Sequence, residues 1–271
     1  MDTLKEIVYD HIHYRKQIVK LAISDLIKTY SGAAFGWAWA VIRPAITIFV
    51  FWFTFEIGLR HRDAINGYPF FLWLISGFVP WFFMRDSITG GASSIRKYKY
   101  LVQRIKYPVD TIPTFVCLSN LIANFGIFIV MVCIFIGAGH MPDKYYLQLP
   151  MYYAMAFMVF TFWSLFAGML SSISKDFLNM VKSTVTALFW LSGVIYDPET
   201  VKSRAVSAIL SYNPITILTS GFRNTFIYHR WFFEDERQLQ MFWHFWIVAF
   251  VMMILAVWAY RKLKKEIPDV L

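Results

Sequence analysis

Residues 93–113 read "SSIRKYKYLVQRIKYPVDTIP", with Arg96, Lys97, Lys99, Arg104 and Lys106 inside eleven positions and Tyr98, Tyr100 and Tyr107 between and beside them. Alone, a basic and aromatic stretch of this kind would read as a nucleic-acid patch. Its flanks decide otherwise. Residues 64–84 before it and 111–142 after it contain no Asp, Glu, Lys or Arg. Each run reaches the roughly 20 apolar residues that a helix needs to cross the hydrocarbon core of a bilayer. The basic stretch is thus a watery link between two membrane-crossing helices.

Two more charge-free runs, 145–174 and 238–260, lie further along the chain. A fifth span runs over about 35–58, interrupted by Arg43 and closed by Glu56, and a short sixth covers about 181–196 between Lys182 and Asp197. The sequence therefore predicts an all-α integral membrane protein, a single domain over 1–271. Its six spans fall near 35–58, 66–85, 112–139, 148–172, 181–196 and 240–260. The composition agrees: 58% of the 271 residues are apolar and 16% are charged, against about 25% charged in soluble domains. The first 30 residues carry charges throughout and lack the apolar core of a signal peptide.

Lys and Arg set the orientation. With both termini cytoplasmic, the inside segments hold 17 of these residues and the outside segments 8. The 93–113 stretch then faces the cytoplasm, and the net charge of +9 reads as positive-inside loops rather than a nucleic-acid partner. Cys117 and Cys133 stand 16 residues apart in one span, about 24 Å along a helix, too far to pair.

Residues 3–28 form an amphipathic helix. Leu4, Ile7, Val8, Ile18, Leu21 and Ala22 share a face that Arg15 and Asp25 interrupt. It reads as an interfacial helix among lipid headgroups, with an ordinary soluble cap helix as the alternative. Next come Gly32, Gly36 and Ala40 at four-residue spacing, a pattern that admits a close neighbouring helix, and Trp37 and Trp39, suited to the aromatic belt. Arg43 would lie about 12 Å into its span at 1.5 Å per residue, facing a wet cavity or snorkelling to the surface. Beyond Tyr196, Asn213-Pro214 is a helix start signal, and Ile215, Leu218, Phe222 and Phe226 share one face of a helix too short to cross. Residues 200–228 read either as helices that dip into the outer leaflet and return, or as an amphipathic helix lying on the lipid.

The chemistry-bearing motifs of an energy source are missing. No Gly precedes a Lys, so no phosphate-binding loop of the P-loop type is present. The six His residues are scattered without a recognisable zinc arrangement, and no Gly-x-Ser-x-Gly elbow or Asp-x-Asp occurs. Apart from Glu56, near a helix end, the spans offer no acidic group for proton coupling. These absences suggest a pore-forming subunit driven by another chain. A membrane acyl- or glycosyltransferase and a self-sufficient channel, carrier or flippase are the competing classes.

Three stretches carry a resemblance: "SDLIKTYSGAAFGWAWAVIRP" (Ser24–Pro44), "LVQRIKYPVDTIP" (Leu101–Pro113), and "FWLSGVIYDPET" followed by "NPITIL" and "GFR" (Phe189–Arg223). In this order they resemble the permease subunits of ABC transporters that export lipid-linked polysaccharides, namely the wall teichoic acid, O-antigen and capsule exporters. "PFFLWLISGFVPWFF" and "YYLQLPMYY" look most like the teichoic acid branch. Thr29 and Arg43 depart from the pattern, standing where relatives commonly carry Arg and Asn or Gln.

The resemblance implies two copies of the chain, each bound to an ABC ATPase subunit that holds ATP and Mg, with no cofactor on this chain. It implies a bacterial plasma membrane location and an undecaprenyl-diphosphate-linked polymer as cargo. A coupling helix would fall at 94–104. There Ile95, Tyr98, Leu101 and Val102 would enter a groove on the ATPase, and Arg96, Lys97, Lys99 and Arg104 would meet its rim or the lipid heads. Because sugars offer C–H faces to aromatic rings, Trp37, Trp39, Phe49, Trp52, Phe53, Phe189, Trp190 and Tyr196 are the expected channel lining, and Arg43 the expected contact of the diphosphate. Ile215, Leu218, Phe222 and Arg223 are the expected outer gate.

Overall fold

A computed structural model describes residues 2–31, 36–58, 65–105 and 107–267, apart from the side chains of Asp2, Trp37 and Glu199. Among the described residues all regular structure is helical, save one antiparallel bridge between Ile65 and Tyr68. The helices are α1 (Asp2–His13), α2 (Arg15–Tyr30), α3 (Trp39–Trp52), α4 (Phe70–Lys97), α5 (Lys99–Ile105) and α6 (Thr111–Gly137). They continue with α7 (Leu149–Ile173), α8 (Lys175–Leu191), α9 (Arg204–Tyr212), α10 (Pro214–Arg223) and α11 (Glu236–Leu263). A π-helical turn extends α3 over Phe53–Gly58, and another extends α10 over Asn224–Tyr228.

Four helical stretches among the described residues are long and apolar enough to cross a membrane: Trp39–Gly58, Thr111–Gly137, Lys144–Ile173 and Glu236–Leu263. They correspond to four of the six expected spans. The other two expected spans coincide with α4 and α8, which fall short for different reasons. Helix α8 has 17 residues and carries Lys175, Asp176 and Lys182. Helix α4 has 28 residues but includes Arg85, Asp86, Arg96 and Lys97. Twenty of its residues are buried, because it is the central helix, packed by α3, α6, α7, α8 and α10. A helix buried over most of its surface has no single apolar stripe, and its charged residues lie where it opens to the surface, Arg85 and Asp86 at 37% and 48% side-chain exposure.

Helix α4 approaches α7 through small residues. A Cβ built on Gly91 would fall on the side chain of Ser164, whose Cα lies 3.0 Å away. One built on Gly168 would lie 3.2 Å from the Gly91 carbonyl oxygen and 3.3 Å from Ser94 Oγ. This is the close small-residue contact of the bundle. The ladder expected at Gly32, Gly36 and Ala40 does not form as a helical surface: Gly32 lies outside the described residues, and Gly36, with φ of 48°, begins a 3-10 turn before α3.

Two cores result. The larger surrounds α4 and includes the inner faces of α7, α8 and α10. The smaller sits where α2, α5 and the ends of α6, α7 and α11 meet, around Tyr98, Leu101, Phe115, Met169 and Tyr260. Both ends of the described chain lie there, since Lys264 Nζ is 2.5 Å from Glu6 Oε2 and the Tyr260 hydroxyl donates to Glu6 Oε1 at 3.3 Å. Cys117 is buried, Cys133 is exposed, and both are free thiols.

Candidate functional site

The basic stretch is an elbow, not one helix. Helix α4 continues twelve residues past the expected end of its span, to Lys97. Tyr98 (φ −111°, ψ 27°) then breaks the helix, and α5 starts at Lys99. The break is tied to the amphipathic N-terminal segment, which is itself interrupted at Tyr14 between α1 and α2. Asp25 of α2 is 3% exposed. It accepts from Lys97 Nζ at 2.5 Å and from the Tyr98 hydroxyl. The tyrosine ring rests edge-on against Phe115, 4.9 Å between centroids. Burial and the Asp25 carboxylate both push the Tyr98 phenol well above its ordinary range. Arg96 Nε caps the end of α7 by donating to the Ser171 carbonyl.

The residues expected to couple to an ATPase thus divide by exposure. Ile95, Tyr98, Leu101 and Val102 are buried within this chain, in the smaller core. Lys97, Lys99, Tyr100, Gln103, Arg104 and Ile105 are exposed. The apolar face of α5 serves the fold, and its outer face is the one free to meet another molecule.

The expected channel rings divide in the same way. Phe49, Phe53 and Trp190 are exposed, 57%, 50% and 52% respectively. Phe189 is buried against Phe51, Phe78 and Trp81, and Trp52 packs edge-on to Phe71. The Trp37 side chain lies outside the described ones. Tyr196 is half-buried and donates to the Leu191 carbonyl at 3.2 Å. It joins Phe55, Phe70, Trp73, Asp197 and Thr200 around a cleft of about 520 Å³.

Arg43 is exposed beside Trp39, its guanidinium 5.6 Å from the indole centroid. It opens onto a polar cleft of about 280 Å³ between α2, α3, α4 and α6, shared with Asp25, Arg85, Asp86, Lys97 and Asn120. Arg85 and Asp86 are paired at 2.8 Å. Glu56 carries a buried carboxylate oxygen, Oε2, without a hydrogen bond.

Ile215, Leu218, Phe222 and Arg223 are all buried, which removes the reading of α10 as a helix lying on lipid. Asn213 caps α10 through Ile215 N at 2.9 Å, and Pro214 is its first residue, as the start signal predicts. The Arg223 guanidinium reaches the Gly193, Tyr196 and Val194 carbonyls at 2.7, 3.2 and 2.5 Å. Beyond α10, His229 lies between Tyr68 Oη (2.6 Å) and Asp143 Oδ2 (2.5 Å). This ties three loops together at the end opposite the elbow. Asp25, Asp143 and His229 carry no local sequence signal, because each acquires its role from a residue distant in the chain.

The described residues form an all-helical protein with several membrane-length apolar helices, an exposed basic elbow and a charged cleft. Residues 16–227 match the ABC-2 type transporter family, and the chain belongs to it. Among curated relatives, the O-antigen export system permease protein RfbA of Myxococcus xanthus is 25% identical over 229 residues, covering 83% of this chain and 85% of the relative. A protein of the same name from Klebsiella pneumoniae is 23% identical over 259 residues, covering 94% of each chain.

Proposed function

We propose that this chain is the membrane-spanning subunit of an ATP-driven exporter that moves a lipid-linked polysaccharide from the cytoplasmic to the outer face of a bacterial plasma membrane. The observation that carries the reading is the similarity, over nearly the full length of both chains, to proteins named as O-antigen export permeases. Those names favour an O-antigen-type polymer over wall teichoic acid.

In this reading six helices cross the bilayer: α3 with its π-helical turn, α4, α6, α7, α8 and α11. Both termini and the elbow are cytoplasmic, which the excess of Lys and Arg at that end supports. Helices α9 and α10 return within the outer leaflet, and two copies of the chain enclose the path of the polymer. ATP is hydrolysed on a partner ATPase that docks on the outer face of α5, where Tyr100, Arg104 and Ile105 are available. The rings of Phe49, Phe53 and Trp190 face the second copy and the sugar chain.

The test is purification of the tagged chain from its own cells in mild detergent, combined with deletion of its gene. An ABC ATPase should co-purify, and surface polymer should vanish while its lipid-linked form accumulates inside. Recovery of the chain without an ATPase, with surface polymer unchanged in the deletion strain, would overturn the reading.

A further inference from the structure

The cleft beside Tyr196 lies at the end of the bundle opposite the elbow, where the π-helical turn closes α3 and α4 begins. Its volume of about 520 Å³ falls within the range of small-molecule sites, roughly 300–1,000 Å³. Part of its wall is aromatic. The rings of Phe55 and Phe70 are 6.0 Å apart and those of Phe70 and Trp73 are 5.7 Å apart, so the three make a continuous row. Tyr196, Asp197 and Thr200 line it from the segment after α8. That segment is fixed in place. Arg223 holds the carbonyls of Gly193, Val194 and Tyr196. The Tyr228 hydroxyl donates to Asp197 Oδ2 at 2.6 Å, and Arg237 Nη2 donates to the Pro198 carbonyl at 3.2 Å. The cleft is therefore built before any ligand arrives, which lowers the cost of binding.

The polar side of the cleft is one-sided in kind. Among the described residues, Asp197 is the one charged member of the lining. Three lining side chains carry donors, and each is spent within the protein. Trp73 Nε1 donates to the Tyr228 hydroxyl at 3.3 Å, the Tyr196 hydroxyl to the Leu191 carbonyl at 3.2 Å, and Thr200 Oγ1 to the Asp197 carbonyl at 2.7 Å. What these side chains still offer is acceptors: the carboxylate and the lone pairs of the two hydroxyls. Aromatic walls also suit sugars, but a sugar hydroxyl both donates and accepts, and this lining answers only its donor half. A cation whose polar atoms only donate is answered in full. We propose that the cleft binds an organic ammonium ion that keeps its N–H donors, about the size of an ethanolamine group, either free or as the head of a phospholipid. The ammonium lies between the Asp197 carboxylate and the row of rings, whose negative faces attract a cation. Arg223 stands outside the lining but attracts the same carboxylate, so the affinity is modest. The site goes beyond the exporter reading and does not depend on it.

The experiment uses the full chain in phosphatidylglycerol nanodiscs, whose lipid carries no ammonium group, with binding titrated by saturation-transfer NMR. The probes are ethanolamine, dihexanoyl phosphatidylethanolamine, the uncharged N-acetylethanolamine, and glucose. Saturable binding of ethanolamine or of the short phosphatidylethanolamine is expected, and the tighter of the two identifies the source. Asp197→Asn, which keeps an acceptor for Tyr228 but removes the charge, should weaken that binding by about tenfold, the worth of one charge-assisted bond. Phe55→Leu keeps the wall apolar without a ring and should weaken it severalfold; it decides alone if Asp197→Asn does not fold. Unchanged affinity in either folded variant, or N-acetylethanolamine as tight as the amine, would overturn the proposal. Glucose binding tighter than both amines would also overturn it, by giving the cleft to sugars. So would an absence of saturable binding by both amines in a correctly folded chain.

Discussion

The guanidinium of Arg223 lies over the indole of Trp73, 3.6 Å from the ring centroid, although the two residues are 150 positions apart and both are buried. The cation sits just past the end of α8, where Gly193, Val194 and Tyr196 turn three carbonyls toward it. Carbonyl ends of helices favour cations, and the ring face adds cation–π attraction in a desolvated place. The fit leaves no spare room: a Cβ on Gly77 would be 2.6 Å from Arg223 Nη2. Arg223 is thus a fastener joining α4, α8 and α10. Arg223→Leu should strand the three carbonyls and cost roughly 3 kcal/mol or more, lowering the unfolding temperature in detergent by about 5 °C or more. Arg223→Lys keeps the charge but not the fork and should fall between. A melting temperature unchanged by Arg223→Leu would show that the fastener is idle.

The contact between α4 and α7 makes a paired prediction at two glycines. Gly91→Ala has to push Ser164 and its backbone away, and overpacking of this kind costs about 1–3 kcal/mol. Gly126→Ala meets nothing within 4 Å, and removing a helical glycine is neutral or favourable by up to about 1 kcal/mol. Size-exclusion profiles and melting curves should therefore separate the two, with Gly91→Ala the less stable. Equal stability would mean that α4 and α7 sit further apart than described.

How much of this was legible before the fold was known depended on the kind of signal. Charge-free runs marked three of the four long apolar helices, and the run broken by Arg43 marked the fourth, because length and apolarity are local properties. Helix α4 hid its full extent, since Arg85 and Asp86 close the charge-free run, yet the helix runs on to Lys97 because the residues beyond them pack against α6 and α7. Four-residue spacing of small residues recurs along the chain, so "SGAAFGWAWA" could not be told from the true contact at Gly91 and Gly168; the partner helix decides, and its arrival is not written locally. The 93–113 stretch revealed a water-facing segment. It did not reveal that Tyr98 turns inward to Asp25, because the carboxylate that draws it lies 73 residues earlier. Asn213-Pro214 was readable because capping is a contact between near neighbours.

The elbow separates coupling from folding. Tyr98 and Leu101, at 5% exposure each, hold α5 to the smaller core, and Tyr98→Ala with Leu101→Ala should destabilise the chain by roughly 4 kcal/mol or more. Tyr100→Ala with Ile105→Ala, on the exposed face, should leave the melting temperature within a degree or two. It should still cut substrate-stimulated ATP hydrolysis by the assembled transporter severalfold. The two double variants are compared by thermal unfolding and by ATPase assay in liposomes. Full stimulation by the Tyr100/Ile105 variant would remove α5 as the docking element.

At the N-terminal helix, pH provides a last test. His11 Nδ1 lies 2.8 Å from the Ile7 carbonyl and 3.4 Å from Asp110 Oδ2, and Nε2 lies 2.7 Å from Thr114 Oγ1. Burial disfavours the charged ring, but Asp110, the Ile7 carbonyl and Asp10 outweigh it and raise the His11 pKa above its ordinary value. A histidine raised in this way contributes stability that is fully present below its unfolded pKa of about 6.5. That contribution is lost as pH climbs through the folded value. Asp10, raised by burial and then by Asp110 and Glu6, adds in the same direction but in the lower, carboxylate range. Glu6 is meanwhile held by Lys264. The docking of α1 on the start of α6 should therefore loosen between about pH 6 and pH 8. Amide exchange across residues 3–13, corrected for its intrinsic pH dependence, should report severalfold greater protection at the lower pH. His11→Gln, which can still hydrogen-bond but cannot gain a charge, should abolish that difference, and Asp110→Asn should reduce it. A difference that survives in His11→Gln would assign the pH response to another group.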